Sequence, residues 1–372
     1  MRRCNQPGCF VWNGACKLCG RAPRFKSTAL SRKAARKIGL RYVSDREPGI
    51  VRKPSGRYFR YVDPKGCRVN DRATLERIRR LVIPPAWTDV WICAGDDGHL
   101  QAVGRDARRR KQYRYHESYR QIRDETKFNR MAAFGAALPK IRTQIHKHLS
   151  SRGMCKQKIL AAIVQLLDSV AIRIGNEDYA RQNDSFGLTT LRNDHVEVTG
   201  QTIHFHFRGK SGQLHKMKLT DRRLAAIVKK CQCLPGQELF LYEDGNGQTV
   251  KIHSDDVNEY LEGLAKEKFT AKDFRTWKGT TEMILALQKL GPPENQTDAK
   301  KKIAEAVKIT ALKLGNRPSA CRAYYIHPAI PAAYLDGRLF DAQKVQTSET
   351  GLRPGERIAL GLVQHGRSLR ST

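Results

Sequence analysis

Apolar residues recur at two different spacings along this chain, and the change of spacing divides it. Ile159, Ile163, Leu166, Leu167 and Val170 fall on one helical face. Val257, Tyr260, Leu261 and Leu264 do the same, with Ser254 as the expected N-cap. Ile303, Val307, Ala311 and Leu314 predict another helix, stopped by Gly315. Strand-like alternation appears elsewhere. Tyr58-Phe59-Arg60-Tyr61-Val62 precedes the turn Asp63-Pro64-Lys65-Gly66, and Trp91–Ala94 is joined to Leu100–Val103 through Gly95-Asp96-Asp97-Gly98. Leu75, Ile78 and Leu81 predict a short helix ending before Pro84-Pro85. Val196, Val198, Ile203, Phe205 and Phe207 alternate with polar residues, and Arg208-Gly209-Lys210-Ser211-Gly212 predicts a turn before the next strand. His204 and His206 then share a solvent-facing side of that sheet.

The expected architecture is α+β. Residues 1–38 form a basic, cysteine-bearing extension, residues 39–123 a small β-rich domain, residues 124–342 a larger, mainly helical domain, and residues 343–372 a loose polar tail. The 372 residues suffice for two domains with sizeable cores.

Charge narrows the function. Lys and Arg number 69 against 36 Asp and Glu, a net +33. Such an excess points to a polyanion, nucleic acid before anionic membrane. The stretch 105–123 carries eight Arg or Lys against Asp106 and Glu117, with Tyr113, Tyr115 and Tyr119 interleaved. Cations match phosphates, and flat rings rest on sugars and bases. The most apolar stretch, Ile159–Ile172, is too short and polar to span a bilayer. Without an N-terminal apolar run of signal-peptide length, the expectation is an intracellular protein with reduced thiols. Cys4, Cys9, Cys16 and Cys19 stand within 16 residues. They suit a structural Zn²⁺ or free thiols on a disordered arm, and the spacing leaves both open. No phosphate-binding loop of the Gly-x4-Gly-Lys-Ser/Thr kind occurs, so ATP use is not indicated.

Without an ATP site or a carboxylate cluster, one remaining route to DNA strand cleavage is a protein nucleophile. A tyrosine serves if cations gather the charge developing on phosphorus and an acid protonates the leaving 5′-oxygen. Composition alone does not select those residues, and it leaves a non-catalytic DNA-binding protein open.

Seven segments, in order, do select them: Ile83-Pro84-Pro85-Ala86-Trp87, Lys111-Gln112-Tyr113-Arg114-Tyr115, Arg173-Ile174-Gly175-Asn176, Gly187-Leu188-Thr189-Thr190-Leu191, Gly209-Lys210-Ser211-Gly212, Lys272-Asp273-Phe274-Arg275-Thr276-Trp277 and Ala323-Tyr324-Tyr325-Ile326-His327-Pro328. Through them the chain resembles type IB DNA topoisomerases of the short bacterial and poxvirus-like branch, over roughly residues 39–335. The resemblance implies ATP-independent relaxation of supercoiled DNA through a 3′-phosphotyrosyl intermediate, with no cofactor needed for catalysis. It implies a monomer that closes around double-stranded DNA as a clamp. Tyr325 is implied as the nucleophile, although the residues alone would not choose between it and Tyr324. Arg173 and Arg275 are implied to hold the scissile phosphate, Lys210 to protonate the leaving oxygen, and Lys272 to support that step. Asn316 stands where poxvirus and nuclear members place a histidine and where bacterial relatives also carry Asn. Gln112, Tyr113, Tyr115 and Tyr179 are implied DNA contacts. A tyrosine recombinase is the nearest rival, but its usual His-x-x-Arg is absent around Arg275, where Asp273-Phe274-Arg275-Thr276 stands instead.

Overall fold

Elements form where the apolar spacing demands them, and the chain divides into two units. The computed structural model describes residues 35–107, 109–344 and 351–368, together with 11–12, 15–16 and 32. One unit runs through Thr126 and the other begins at Lys127. That division lies three residues beyond the expected boundary and inside a helix, so no break in secondary structure marks it. Two short strands, β1 (Val11–Trp12) and β2 (Ala15–Cys16), pair antiparallel ahead of the first unit's sheet.

The first unit is an antiparallel sheet of β3 (Ile50–Ser55), β4 (Tyr58–Val62), β5 (Thr88–Ile92), β6 (Leu100–Arg105) and β7 (Lys111–Tyr115), in the order β4-β3-β5-β6-β7. Helix α1 (Arg72–Arg80) starts where the Asp71 carboxylate accepts the Thr74 amide at 2.8 Å. Its Ile78 packs with Ile50, Val90, Ile92 and Ala102. Buried Arg52 explains the Pro84-Pro85-Ala86-Trp87 segment: its guanidinium donates to the Pro84 carbonyl at 3.2 Å and also to those of Pro85 and Trp87.

Helix α2 (Glu117–Leu149) leads into the second unit. There, α3 (Lys156–Val170) is buried along much of its length, and the left-handed Ala171 ends it. A short α4 (Glu177–Asn183) follows. Strands β8 (Val196–Thr199), β9 (Thr202–Arg208) and β10 (Leu214–Thr220) form a sheet in the order β10-β9-β8. Ile203, Phe205 and Phe207 face the core while His204 and His206 are exposed. Then come α5 (Arg222–Gln232), the hairpin β11 (Leu241–Glu243) and β12 (Thr249–Lys251), and α6 (Ser254–Ala265). His253, rather than Ser254, is the N-cap of α6, and its amide donates to Asp256 at 2.8 Å. Helices α7 (Ala271–Leu290), α8 (Gln296–Leu314), α9 (Pro318–Tyr325), α10 (Ala329–Leu335) and α11 (Arg338–Lys344) complete the part expected to be helical.

The expected loose tail is a correction. Residues Pro354–Ser368 form α12, and Ile358, Ala359, Leu362 and Val363 place an i, i+1, i+4, i+5 face in the core. A buried ionic cluster locks it there. Arg142 on α2 donates to Asp168 on α3 at 2.9 Å and to Glu356 on α12 at 2.7 Å. Arg353 adds a 2.9 Å bond to Asp168, and the Trp277 indole of α7 reaches Glu356 at 3.3 Å. Burial alone would lower the Arg142 guanidinium pKa; the bonds from Glu356 and Asp168 outweigh it and raise the pKa. Removing the shared cation would leave two buried carboxylates with only Arg353, which is half exposed, between them. Arg142→Ala is therefore expected to lower the unfolding free energy by about 3–5 kcal/mol. Urea denaturation checks this, and a loss under about 1 kcal/mol would show that α12 is held by its apolar face alone.

Candidate active site

Most functional side chains in the second unit sit at or near the end of an element. Arg173 follows the left-handed Ala171 in the extended run after α3. That run is pinned by the Gly187–Leu191 segment. The Leu188 and Thr189 amides donate to the carbonyls of Arg173 and Ile174 at 2.8 and 2.7 Å, and the Thr189 hydroxyl donates to Ile174 at 2.9 Å. The two backbones cross so closely that a Cβ on Gly187 would lie 2.6 Å from the Arg173 carbonyl oxygen. The two motifs are therefore one structural device that presents Arg173.

Lys210 is exposed at the turn between β9 and β10, where Ser211 and Gly212 take φ of +66° and +76°. Lys272 and Arg275 stand in the first turns of α7, Lys272 exposed and Arg275 only 4% exposed. Asn316 follows Gly315, whose φ of +59° ends α8. Tyr325 closes α9.

These ends meet. A cavity of about 350 Å³ is lined by Arg173, Lys210, Lys272, Arg275, Tyr179 and Tyr325, with no carboxylate among its described lining residues. Tyr325 lines it and Tyr324 does not; the Tyr324 side is 51% exposed. The Arg275 guanidinium lies 5.1 Å from the Tyr325 ring centroid. Its Nη1 donates to the Ala171 carbonyl and its Nη2 to that of Leu314 at 2.8 Å, so one side chain staples the Arg173 run to the Asn316 turn. Arg173 Nη2 in turn donates to Asn316 Oδ1.

Two buried donors are left over. Arg275 Nε and Asn316 Nδ2 have no hydrogen-bond partner. Arg275 is also a buried charge bonded to carbonyls rather than to a carboxylate. Burial, and then Arg173, lower its guanidinium pKa. Such an arrangement is costly unless an anion completes it. The phenol feels the same field. Burial pushes the Tyr325 pKa up, but Arg275, Arg173 and Lys272 favour the phenolate more strongly and leave it below the usual tyrosine value.

The backbone of Tyr325 is fixed from α7. Thr280 Oγ1 donates to the Tyr325 carbonyl at 3.3 Å and accepts the His327 amide at 3.0 Å. Lys127 donates to the neighbouring Tyr324 carbonyl. A Cβ on Gly279 would lie 2.6 Å from the Tyr325 carbonyl oxygen and 2.9 Å from its Cβ. Gly279→Ala favours the helix by about 1 kcal/mol yet pushes α9 away. The expected result is a stable protein whose DNA cleavage falls on the order of 100-fold, the scale of a 1 Å misplacement. A thermal melt beside single-turnover cleavage checks it, and unchanged cleavage would show that α9 yields freely.

Sequence reasoning did not find Gly279, Thr280 or Lys127. The first two sit one turn beyond Arg275, a clue visible only once α7 is known to face α9. Tyr179, on α4, lines the cavity, and the Asn176 side chain caps its amide at 2.8 Å. Gln112, Tyr113 and Tyr115 belong to the first unit, on edge strand β7. Tyr113 and Tyr115 share a face, with ring centroids 6.0 Å apart and nearly parallel, while Gln112 donates to Asp106 at 2.9 Å. Cys4, Cys9 and Cys19 lie outside the described residues, as does the side chain of Cys16. Among the described residues no group of three or more His, Cys, Asp or Glu could hold a metal, and no helix is long and apolar enough to cross a membrane.

A carboxylate-free, cation-lined cavity around a phenol has the make-up of a phosphoryl-transfer centre, and the relatives say which kind. Residues 116–334 match the family model for the eukaryotic DNA topoisomerase I catalytic core, and residues 58–106 that for the bacterial DNA topoisomerase IB N-terminal domain. The chain is 33% identical to DNA topoisomerase 1B of Acanthamoeba polyphaga mimivirus over 285 residues, 75% of this chain and 85% of that protein. DNA topoisomerase 1B of Vaccinia virus (strain Copenhagen) is 24% identical over 281 residues, 73% of this chain and 85% of the relative. DNA topoisomerase 1 of Mus musculus is 26% identical over 190 residues, 48% of this chain and 23% of the relative. The chain belongs to the type IB DNA topoisomerase family. It is a DNA topoisomerase, and nothing favours the recombinase or the non-catalytic reading.

Proposed function

We propose that this cavity cuts and reseals one strand of duplex DNA with Tyr325 as nucleophile. The observation that supports the reading best is the buried, unpartnered Nε of Arg275 in the wall of the cavity that Tyr325 and Arg173 share; Asn316, whose Nδ2 is likewise unpartnered, is outside that wall and joins it through its bond from Arg173. A phosphodiester supplies the oxygens those donors lack. The phenolic oxygen attacks phosphorus as its proton leaves to solvent. The bond from phosphorus to the 5′-oxygen breaks, and Lys210, aided by Lys272, protonates that oxygen. Arg173 and Arg275 balance the charge that grows on the non-bridging oxygens. Asn316 contributes a neutral hydrogen bond there. Lysine suits the acid step because an ammonium can release its proton, whereas a guanidinium cannot.

The phosphotyrosyl ester stores the energy of the broken phosphodiester, so the freed 5′-hydroxyl reseals the strand without ATP. Between the two steps the DNA beyond the cut swivels, and supercoils of either sign are lost. A monomer gripping the duplex through both units, with Gln112, Tyr113, Tyr115 and Tyr179 on DNA, makes fullest use of the +33 charge.

The protein should relax both negatively and positively supercoiled plasmid with no ATP and with EDTA present. Its activity should fall steeply as salt rises. A requirement for ATP or a divalent ion, or relaxation of one sign only, would overturn the scheme.

A further inference from the structure

Beside the cavity, and absent from its wall, lies a buried imidazole that the scheme above does not use. His215 is the second residue of β10, pairs across the sheet with Phe207, and is 8% exposed. The two rings stack, with centroids 5.0 Å apart and planes 19° apart. Both edges of the imidazole meet glycine. A Cβ on Gly209 would lie 2.4 Å from His215 Cδ2, and a Cβ on Gly315 would lie 2.4 Å from His215 Cε1. Gly209 immediately precedes Lys210, and Gly315 immediately precedes Asn316. One flat ring therefore separates the turn bearing a proposed acid from the turn bearing a proposed phosphate contact.

We propose that His215 is a positioning residue that sets the reach of Lys210 toward the phosphate held at the Asn316 turn. This rests on the reading of Lys210 as the acid. The Lys210 turn gains from such a support because its other restraints are local, its own backbone bonds and the Arg208 guanidinium against Gly212. It closes through backbone bonds of 2.8 Å from Gly209 to Gln213 and 3.0 Å from Gly212 to Gly209, and Lys210 itself is exposed. The ring sits against the residue preceding Lys210, where a shift passes directly into the lysine. Glycine on both sides lets backbone approach the ring, so any change in ring size changes the spacing. His215 adds no competing charge: burial, then Arg173 and Arg275, push its pKa down to about 4, so it is neutral at ordinary pH. It also leaves the acid role to Lys210, since it does not line the cavity.

The test separates positioning of an acid from general support of the fold. Single-turnover cleavage is measured on an ordinary duplex and on one whose leaving 5′-oxygen is replaced by sulfur. A thiolate leaves without protonation, so loss of the acid matters only on the first substrate. His215→Ala is expected to slow cleavage of the ordinary duplex roughly 10-fold, a share of what a well-placed acid contributes. On the sulfur duplex it is expected to stay within about twofold of the parent protein. Equal slowing on both duplexes, or no slowing on either, would overturn the proposal. Should the alanine protein fail to fold, His215→Gln keeps much of the volume, removes the flat ring and gives the same comparison. Lys210→Ala, measured in parallel, tells the two levels apart. If sulfur rescues Lys210→Ala but not His215→Ala, the inference about His215 fails alone; if sulfur rescues neither, the acid assignment fails with it.

Discussion

Tyr325→Phe is expected to bind duplex DNA as the parent protein does and to leave supercoiled plasmid untouched. The substitution removes one oxygen from a ring whose position is set by other groups. Gly279, Thr280 and Lys127 hold the backbone at 324–325, and the Arg275 guanidinium faces the ring 5.1 Å from its centroid, an attraction that phenylalanine retains. The cations that grip DNA are unchanged. Only the covalent step is lost, so cleavage should fall by more than about 10⁵-fold, the scale of deleting a nucleophile that works as part of a unit. Tyr324→Phe is the control. Its side chain is exposed and does not line the cavity, and it should relax plasmid normally. Gel-shift titration beside a relaxation assay separates binding from cutting. A Tyr325→Phe protein that still relaxes DNA would remove the phenol from the mechanism.

The second large effect is at Arg275, where charge alone is not enough. Arg275→Lys keeps the cation but is expected to slow cleavage on the order of 10²–10³-fold, the cost of losing one preorganised donor to a developing oxyanion. Guanidinium does three things in three directions at this position. Nη1 satisfies Ala171, Nη2 satisfies Leu314, and Nε remains for the substrate. An ammonium is a point charge on a flexible stem and cannot serve all three. One of the two carbonyls would be left buried and unpaired, at about 1–3 kcal/mol, and the Arg173 run and Asn316 turn would no longer share a staple. Equilibrium DNA binding should change little, because many other cations supply the grip. Single-turnover cleavage with a parallel binding measurement decides it. Equal loss of both would mean that Arg275 acts in DNA affinity rather than at the reacting phosphate.

Much of this site was legible because its residues lie in short motifs at element ends, where local rules are strong. Gly315 stops α8 at the expected place, the Arg208–Gly212 turn joins two strands as the alternation implies, and Arg275 opens a helix. Pairing between distant segments was not legible. His215 reads as an ordinary inward residue of an alternating strand. Its significance comes from Gly315, a hundred positions later. Helix α12 was missed for the same reason. Its apolar face is short, Gly351 and the polar run before it suggest coil, and its anchor is Arg142, 214 residues away in sequence. Gly187 is part of a motif that reads as a unit, yet only the crossing with Arg173 shows why a side chain is excluded there. Long-range contact decides these positions, and a single sequence carries no record of it.

The most direct test isolates the covalent bond itself. The protein is mixed with duplex DNA, the reaction is stopped with detergent, the nucleic acid is digested, and the peptide holding Tyr324 and Tyr325 is sequenced by fragmentation mass spectrometry. The account predicts a nucleotide 3′-phosphate esterified to the Tyr325 oxygen, with Tyr324 unmodified. A nucleotide on Tyr324, or a peptide free of nucleotide while plasmid is being relaxed, would contradict it.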